Sequence, residues 1–225
     1  MSTVKTVEQL RESYRAPSER AQRKQLGALD AHCRRFIASS PFVVLASSSE
    51  TGADATPRGG ERGFIRVRDA RTLLLPDWPG NNRLDSLTNI VKNPAVGLLF
   101  LVPGVDETLR VGGAARIHTD EALLEPFRAA NKLPLTVLVI NVEKAYLHCA
   151  KAFMRSQLWD EDAKLERSAF PTAGEILRDQ AGGGAEEALE SQEAMEKRYK
   201  DSLYQRSQGI VQNAARVVDA PPVPG

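Results

Sequence analysis

The sequence predicts a mainly β protein with helices (α+β), whose central part is an antiparallel β-barrel. Three observations lead to this prediction. Residues 1–40 have a helical period, residues 41–160 contain short apolar runs separated by turn residues, and residues 161–225 are polar and rich in helix formers. Short strands at regular spacing are typical of barrels. We therefore expect an N-terminal helical segment, a central β-domain and a C-terminal extension with these bounds.

The N-terminal segment is expected to be helical up to Pro41. Apolar residues such as Leu29, Cys33, Phe36 and Ile37 recur at spacings of three and four, which would place them on one face of a helix. Proline disfavours the helical conformation of the residue before it, so the helix should end there.

The central domain is expected to consist of short strands linked by turns. Two helical inserts, at 82–92 and from Thr119 through Phe127, interrupt the series and should cover the open ends of the barrel. The strand candidates are apolar or β-branched runs at 42–46, 53–56, 63–68, 72–75, 95–102, 108–117 and 135–146.

The C-terminal extension is expected to carry an appended helix from Ala185 to about Gln212. Gly182-Gly183-Gly184 precedes it and resembles a flexible linker, while the Pro-rich residues 221–225 are typical of a disordered tail. Apolar residues are sparse in the predicted helix, so it needs a partner surface to stay folded.

The composition excludes several classes of function. Thirty Lys and Arg residues against twenty-nine Asp and Glu give a formal charge of +1, so no global field would attract nucleic acid or an anionic membrane. The longest apolar runs, at 98–102 and 135–140, fall far below the roughly 18 residues that a membrane span requires. No secretory signal is visible at the N-terminus, so we expect a cytoplasmic protein.

Cysteine and histidine spacing predicts neither a disulfide nor a metal site. Cys33 and Cys149 are far apart and form no CxxC motif, so both are expected to be reduced thiols. His32, His118 and His148 are scattered singly, without the spacing that places metal ligands on one helix face.

Arg58 is the first candidate ligand for an anion. It leaves a predicted strand directly before Gly59-Gly60, and a glycine pair permits the close approach of a ligand or of another backbone. Taken alone, the same residues also fit an ordinary hairpin edge, because arginine and glycine are common in turns.

The second candidate is segment 76–87, which runs from a strand end through a Pro/Gly turn into a helix. Asn82 is expected to be the N-cap, with Asp85 completing a box-like start. Free backbone N–H groups, Arg83 and the Ser86 hydroxyl would then favour a phosphate group. An ordinary capped helix that packs on the barrel is the alternative, and together with Arg58 the pair of arginines favours the anion site.

These segments resemble the pyridoxamine 5′-phosphate oxidase-like superfamily of FMN-binding split barrels. The similar features are Pro57-Arg58-Gly59, Pro76-Asp77, Asn82-Arg83, Asn93-Pro94 and the apolar strand at 96–101, in this order. Segments like PRGG, PGNNR and LVPGVDETLRV recur in a bacterial subgroup of FMN-binding members. The resemblance covers about residues 30–160, and it implies an antiparallel split β-barrel that holds FMN at the interface of a homodimer.

The resemblance also assigns candidate cofactor-binding residues. A late segment of the family is similar to residues 155–160, so Arg155 and Trp159 are expected to face the flavin or the substrate. The remaining assignments are phosphate contacts from Arg58, Asn82, Arg83 and Ser86, and positions nearer the flavin ring for Asp77 and Trp78.

One departure from the family limits the function. The true oxidases bind the cofactor phosphate with an R-x-V-L-L-K strand, whereas this chain has no such lysine after Arg58, so we do not expect vitamin B6 oxidation. Lys144, Lys151 and Arg155 form either a positive rim for an anionic substrate or a solvated face. Cys149 is expected to be a buried, inert thiol.

The resemblance implies an FMN-dependent oxidoreductase that transfers hydride between FMN and a small substrate or NAD(P)H. The flavin supplies the chemistry in such enzymes, so no catalytic acid or base is predicted from the sequence. Two alternatives remain: a non-catalytic flavin-binding or redox-sensing protein, and the same barrel with a deazaflavin or haem.

Overall fold

The structure, a computed structural model, describes residues 3–129, 131–182 and 190–203. It confirms the α+β class, because the described residues form a seven-stranded antiparallel sheet and several helices. The strands are β1 (Phe42–Ser49), β2 (Gly52–Gly59), β3 (Arg66–Asp69), β4 (Thr72–Asp77), β5 (Ala95–Val102), β6 (Val105–His118) and β7 (Thr136–His148).

The sheet has the strand order β2-β1-β5-β6-β7-β4-β3. Within the described residues, no ladder of backbone hydrogen bonds joins its edge strands β2 and β3. The sheet is nevertheless rolled, because Arg58 of the edge strand β2 forms an ion pair with Asp77 of β4 although four strands lie between them. The result is an open, or split, barrel with its core inside the roll.

The core is formed by strand residues that alternate between buried and more exposed positions. Val96, Leu98 and Phe100 of β5 are buried while their neighbours are more exposed, as expected for a strand with one face on the core. A β-bulge between Gly112 and Gly113 changes the register of β6 against β7. Bulges bend and twist a strand, which helps a sheet to roll.

Three short helices form the N-terminal segment: α1 (Val7–Ser13), α2 (Glu19–Arg23) and α3 (Ala31–Ser39). The prediction of a helical N-terminal segment is thus confirmed, although the segment consists of three separate helices. Only α3 has buried residues among the three, Cys33 and Ile37, which pack into the barrel core. Asp30 caps α3, because its carboxylate accepts a hydrogen bond from the Cys33 backbone N–H at 2.8 Å.

Two helices follow the predicted inserts. Helix α4 (Asp85–Lys92) places Ile90 in the barrel core. Helix α5 (Glu121–Leu124) continues into a 3₁₀ turn (Glu125–Phe127), and its Leu124 packs with Leu74 and Val137 in a separate, smaller apolar cluster.

Helix α6 (Lys151–Ser156) follows β7 at the end of the central domain, and the C-terminal extension contains α7 (Ala173–Ala181) and α8 (Gln192–Ser202). Helix α8 lies within the predicted appended helix. Residues 183–189 and 204–225, which include both ends of that predicted helix, most of the predicted glycine linker and the predicted tail, lie outside the described residues. The sequence analysis missed α7, although Thr172 and Glu175 form a capping box at its start. No helix in the described ranges is long and apolar enough to cross a membrane.

Candidate functional site

Strand β2 presents a row of polar side chains to a pocket at the seam of the roll. Asp54, Thr56 and Arg58 are half-buried and line this pocket, whereas Ala55 and Pro57 between them are exposed. Because successive strand residues point to opposite faces, this spacing of two puts all three polar groups on one side.

Asp77 lies opposite this row, at the end of β4. Its carboxylate forms an ion pair with the Arg58 guanidinium; the Arg58 side chain is 23% exposed and that of Asp77 is 10% exposed. The buried Nε of Arg58 has no hydrogen-bond partner within the described part of the chain. Buried N–H donors are almost always satisfied, so this orphaned donor indicates a place for a ligand or water.

In the structure, the loop between β4 and α4 is longer than predicted, and the helix begins later. Asn82 is not the N-cap: α4 begins at Asp85 and its N-cap is Leu84, which makes no side-chain cap bond. Asn82 and Leu84 both have a left-handed backbone with φ of 58°. The side chain of Asn81 accepts a hydrogen bond from the Arg83 N–H at 3.1 Å, and this local turn keeps the three residues after it out of the helix.

The first turn of α4 and the loop before it bring two further donors to the pocket. Ser86 is buried, and its hydroxyl donates a hydrogen bond to the Asp54 carboxylate. Arg83 is largely exposed, and its Nε donates to Asp85 at 2.8 Å. Hydrogen bonding and charge attraction from Asp85, with a smaller attraction from Asp54, raise the pKa of Arg83 above its ordinary value.

The pocket is a cavity of about 160 Å³. Sites for whole small molecules are usually about 300–1,000 Å³, so one chain encloses space for an end group rather than for a whole cofactor. The predicted residues that the structure brings together in its lining are Arg58, Asp77, Trp78, Asn82, Arg83 and Ser86. The sequence analysis missed Asp54, Thr56 and Leu135, which only the rolled sheet brings to the same place.

Arg155 and Trp159 do not line this pocket in the described chain. Arg155 lies on α6. The Trp159 ring stacks on Phe153 with centroids 5.4 Å apart, and its Nε1–H donates to the Val105 carbonyl at 3.1 Å. Trp159 therefore lies beside the turn between β5 and β6.

The two cysteines differ in environment. Both are free thiols, as predicted, but Cys149 is exposed, so the prediction that it is buried was wrong. Its position directly after the end of β7 explains the exposure, because the chain leaves the sheet there. Cys33 is buried, and desolvation with a nearby Asp30 carboxylate raises the pKa of its thiol to about 11. Within the described ranges, no group of His, Cys, Asp and Glu side chains could hold a metal ion.

A shallow surface of small side chains adjoins the pocket and shares Asp54 with it. Ala46 of β1 faces Ala55 of β2 and Gly97 of β5 across the strand pairs. Small residues on three neighbouring strands leave a surface on which another sheet or a flat ligand can approach closely.

These features define an α+β protein with a rolled antiparallel sheet and an arginine-containing pocket at its seam. The model of the pyridoxamine 5′-phosphate oxidase family matches residues 29–149, more than half of the 225-residue chain, and the chain belongs to that family. The matched range includes every residue that lines the pocket and excludes Arg155 and Trp159.

Solved structures with a similar fold have low sequence identity to the chain. HupZ of group A Streptococcus is 19% identical over 53% of this chain and 93% of its own, with a TM-score of 0.44. A candidate pyridoxamine 5′-phosphate oxidase of Lactobacillus delbrueckii is 22% identical over 55% and 98%, with a TM-score of 0.42. An FMN-binding protein of Syntrophomonas wolfei is 12% identical over 52% and 83%, with a TM-score of 0.41. No curated protein matches the chain.

Proposed function

We propose that the pocket binds the phosphate of FMN and that the chain is an FMN-dependent oxidoreductase. The observation that carries this proposal is the orphaned, buried Nε of Arg58 in a pocket that also contains Arg83 and Ser86. Membership of the pyridoxamine 5′-phosphate oxidase family supports it independently.

The donors of the pocket fit a phosphate monoester. A guanidinium group presents a planar fork of N–H donors that matches phosphate oxygens. Arg58 is held by its ion pair with Asp77, its buried Nε has no partner in the described part of the chain, and Arg83 at the pocket margin adds a second positive charge. The Ser86 hydroxyl contributes a third donor from the first turn of α4, where the helix dipole also favours an anion.

We further propose that the working unit is a cytoplasmic homodimer with the cofactor at its interface. The cavity of one chain is smaller than a flavin site requires, so the isoalloxazine needs a second surface to cover it. The small-residue surface on β1, β2 and β5 adjoins the pocket and suits the close approach of a second copy.

Bound FMN supplies hydride transfer to or from a small substrate or NAD(P)H. The residues of the chain then bind and orient the cofactor rather than react. In this proposal Arg58, Arg83 and Ser86 hold its phosphate, and Asp77 and Trp78, which belong to the same lining, are assigned to the ring. Arg155 and Trp159 remain proposed contacts to the flavin or substrate, supplied across the interface by the second copy.

The test is cofactor titration with purified protein freed of small molecules. We expect FMN to bind and riboflavin, which lacks the phosphate, to bind much more weakly. Arg83→Ala should weaken FMN binding about tenfold, as for the loss of one charge-assisted hydrogen bond, and Arg58→Ala/Arg83→Ala should abolish it. The matched control is Arg68→Ala/Arg128→Ala, which removes two arginines that pair with acidic neighbours outside the pocket.

Equal affinity of the double variant and the wild type for FMN would refute the phosphate site. A Soret band in the absorbance spectrum of the protein as purified would show that the bound cofactor is haem and not FMN. Sedimentation of a monomer with FMN bound would refute the shared interface. Anaerobic reduction of the bound flavin by NADH or NADPH tests turnover, and a flavin that no such donor reduces would favour a non-catalytic binding protein.

A further inference from the structure

Each donor that we assign to the phosphate is paired with a carboxylate of the same chain. Asp77 pairs with Arg58, Asp85 with Arg83, and Asp54 accepts the hydroxyl of Ser86. The lining thus contains three aspartates and two arginines, so its side chains favour a dianion less than its arginines alone suggest.

Asp54 differs from the other two aspartates. Asp77 and Asp85 each have an arginine within ion-pair distance. Asp54 has none within 4 Å in the described part of the chain, although it lies half-buried in the pocket. It therefore adds a negative charge that no guanidinium contacts, and it occupies the Ser86 hydroxyl at the same time.

The position of Asp54 gives it influence over both donors of the helix start. Its carboxylate contacts the Ser86 hydroxyl directly, and its charge also acts on the Arg83 guanidinium. A phosphate that binds these groups must approach the Asp54 carboxylate, and like charges at short range repel strongly in a partly buried site.

We propose that Asp54 is the specificity-determining residue of the pocket: it competes with the phosphate for Ser86 and Arg83, and so keeps phosphate-bearing ligands weakly bound and exchangeable. This inference rests on the proposed function, because it assumes that the pocket receives a phosphate. The inference has an unusual consequence for a binding-site residue: removal of the Asp54 charge should tighten the binding of phosphate-bearing ligands.

A purely supporting role for Asp54 makes the opposite prediction. If the carboxylate only orients the Ser86 hydroxyl toward the ligand, its loss should weaken binding. Asp54→Asn separates the two roles, because asparagine has the same shape, can still accept from Ser86, carries no charge and adds an N–H donor.

The experiment compares the affinities of wild type, Asp54→Asn and Asp106→Asn for FMN, riboflavin and orthophosphate. Asp106 is also a half-buried strand aspartate and does not line the pocket. We expect Asp54→Asn to lower the Kd for FMN and for orthophosphate about tenfold, the size expected when one like charge leaves a partly exposed site. Riboflavin affinity should stay unchanged, and Asp106→Asn should bind as the wild type does.

Unchanged or weaker FMN and orthophosphate binding by folded Asp54→Asn overturns the inference. If Asp54→Asn does not fold, Asp54→Thr serves instead, because threonine is uncharged and suits a strand. If the wild type does not bind FMN but the variant binds orthophosphate more tightly, the proposed function fails and the inference stands. If neither protein binds FMN or orthophosphate, both are refuted.

Discussion

Arg58 and Asp77 form an ion pair although four strands lie between β2 and β4 in the order of the sheet. Neighbouring strands are about 4.8 Å apart, so five intervals in a flat sheet would separate these residues by about 24 Å. Contact between them means that the ion pair lies where the rolled sheet meets itself. The same contact holds Arg58 in the pocket, which links closure of the fold to the proposed site.

Loss of Arg58 should therefore destabilise the protein as well as weaken cofactor binding. In Arg58→Ala the Asp77 carboxylate loses its partner while only 10% of its side chain is exposed. We expect the free energy of unfolding to fall by about 2 kcal/mol or more, because an unpaired carboxylate is costly to bury. Urea unfolding measures the change.

Arg83→Ala is the matched control for this prediction, since Arg83 also pairs with an aspartate but both side chains are more than half exposed. Its effect on unfolding should stay within about 0.5 kcal/mol. Equal losses of stability in the two variants would show that burial of the Arg58–Asp77 pair does not matter.

Gly113 should not tolerate a side chain. A Cβ atom at this position would lie 2.0 Å from the Asn141 carbonyl oxygen, so the backbone of β7 would have to move. We expect Gly113→Ala to lower the free energy of unfolding by at least about 2 kcal/mol. Gly27→Ala, where a Cβ meets nothing within 4 Å, is the control and should unfold as the wild type does.

Local sequence patterns predicted most of the strands and helices, whereas they did not predict the contacts between residues that the rolled sheet brings together. Strand 95–102 was predicted with its observed bounds, because alternating or continuous apolar residues between turns are a local signal. The prediction that Asn82 is the N-cap of α4 was wrong, because the neighbouring Asn81 side chain forms a competing turn with the Arg83 N–H. Residue type alone does not distinguish the two adjacent asparagines. Asp54 was missed because its partner, Ser86, lies in another element and meets it only after the sheet rolls.

Thiol chemistry should distinguish the two cysteines. The exposed Cys149 should react with a thiol reagent in the native protein, whereas the buried Cys33 should react only after unfolding. We expect one thiol per chain to be labelled at pH 8 and none in Cys149→Ser. Labelling of two thiols in the native wild type would contradict the burial of Cys33.

The Cys33 thiol should also make stability depend on pH in the alkaline range. Burial, with the nearby Asp30, raises its pKa from 9.0 to about 11 in the folded protein. Between these values the unfolded chain loses the thiol proton while the folded chain keeps it, so the unfolded state binds fewer protons and stability falls as the pH rises. Below pH 9 both states are protonated and the stabilisation is complete.

Cys33→Ala isolates this contribution, because all other titratable groups are present in both proteins. Urea unfolding measures the free energy of unfolding of the wild type minus that of Cys33→Ala at each pH. We expect this difference to be most favourable to the wild type at pH 8 and to become steadily less favourable up to pH 10.5. Alanine also removes the sulfur from the core, but that cost does not change with pH. Parallel pH profiles for the two proteins would show that the thiol titrates alike in the folded and unfolded states.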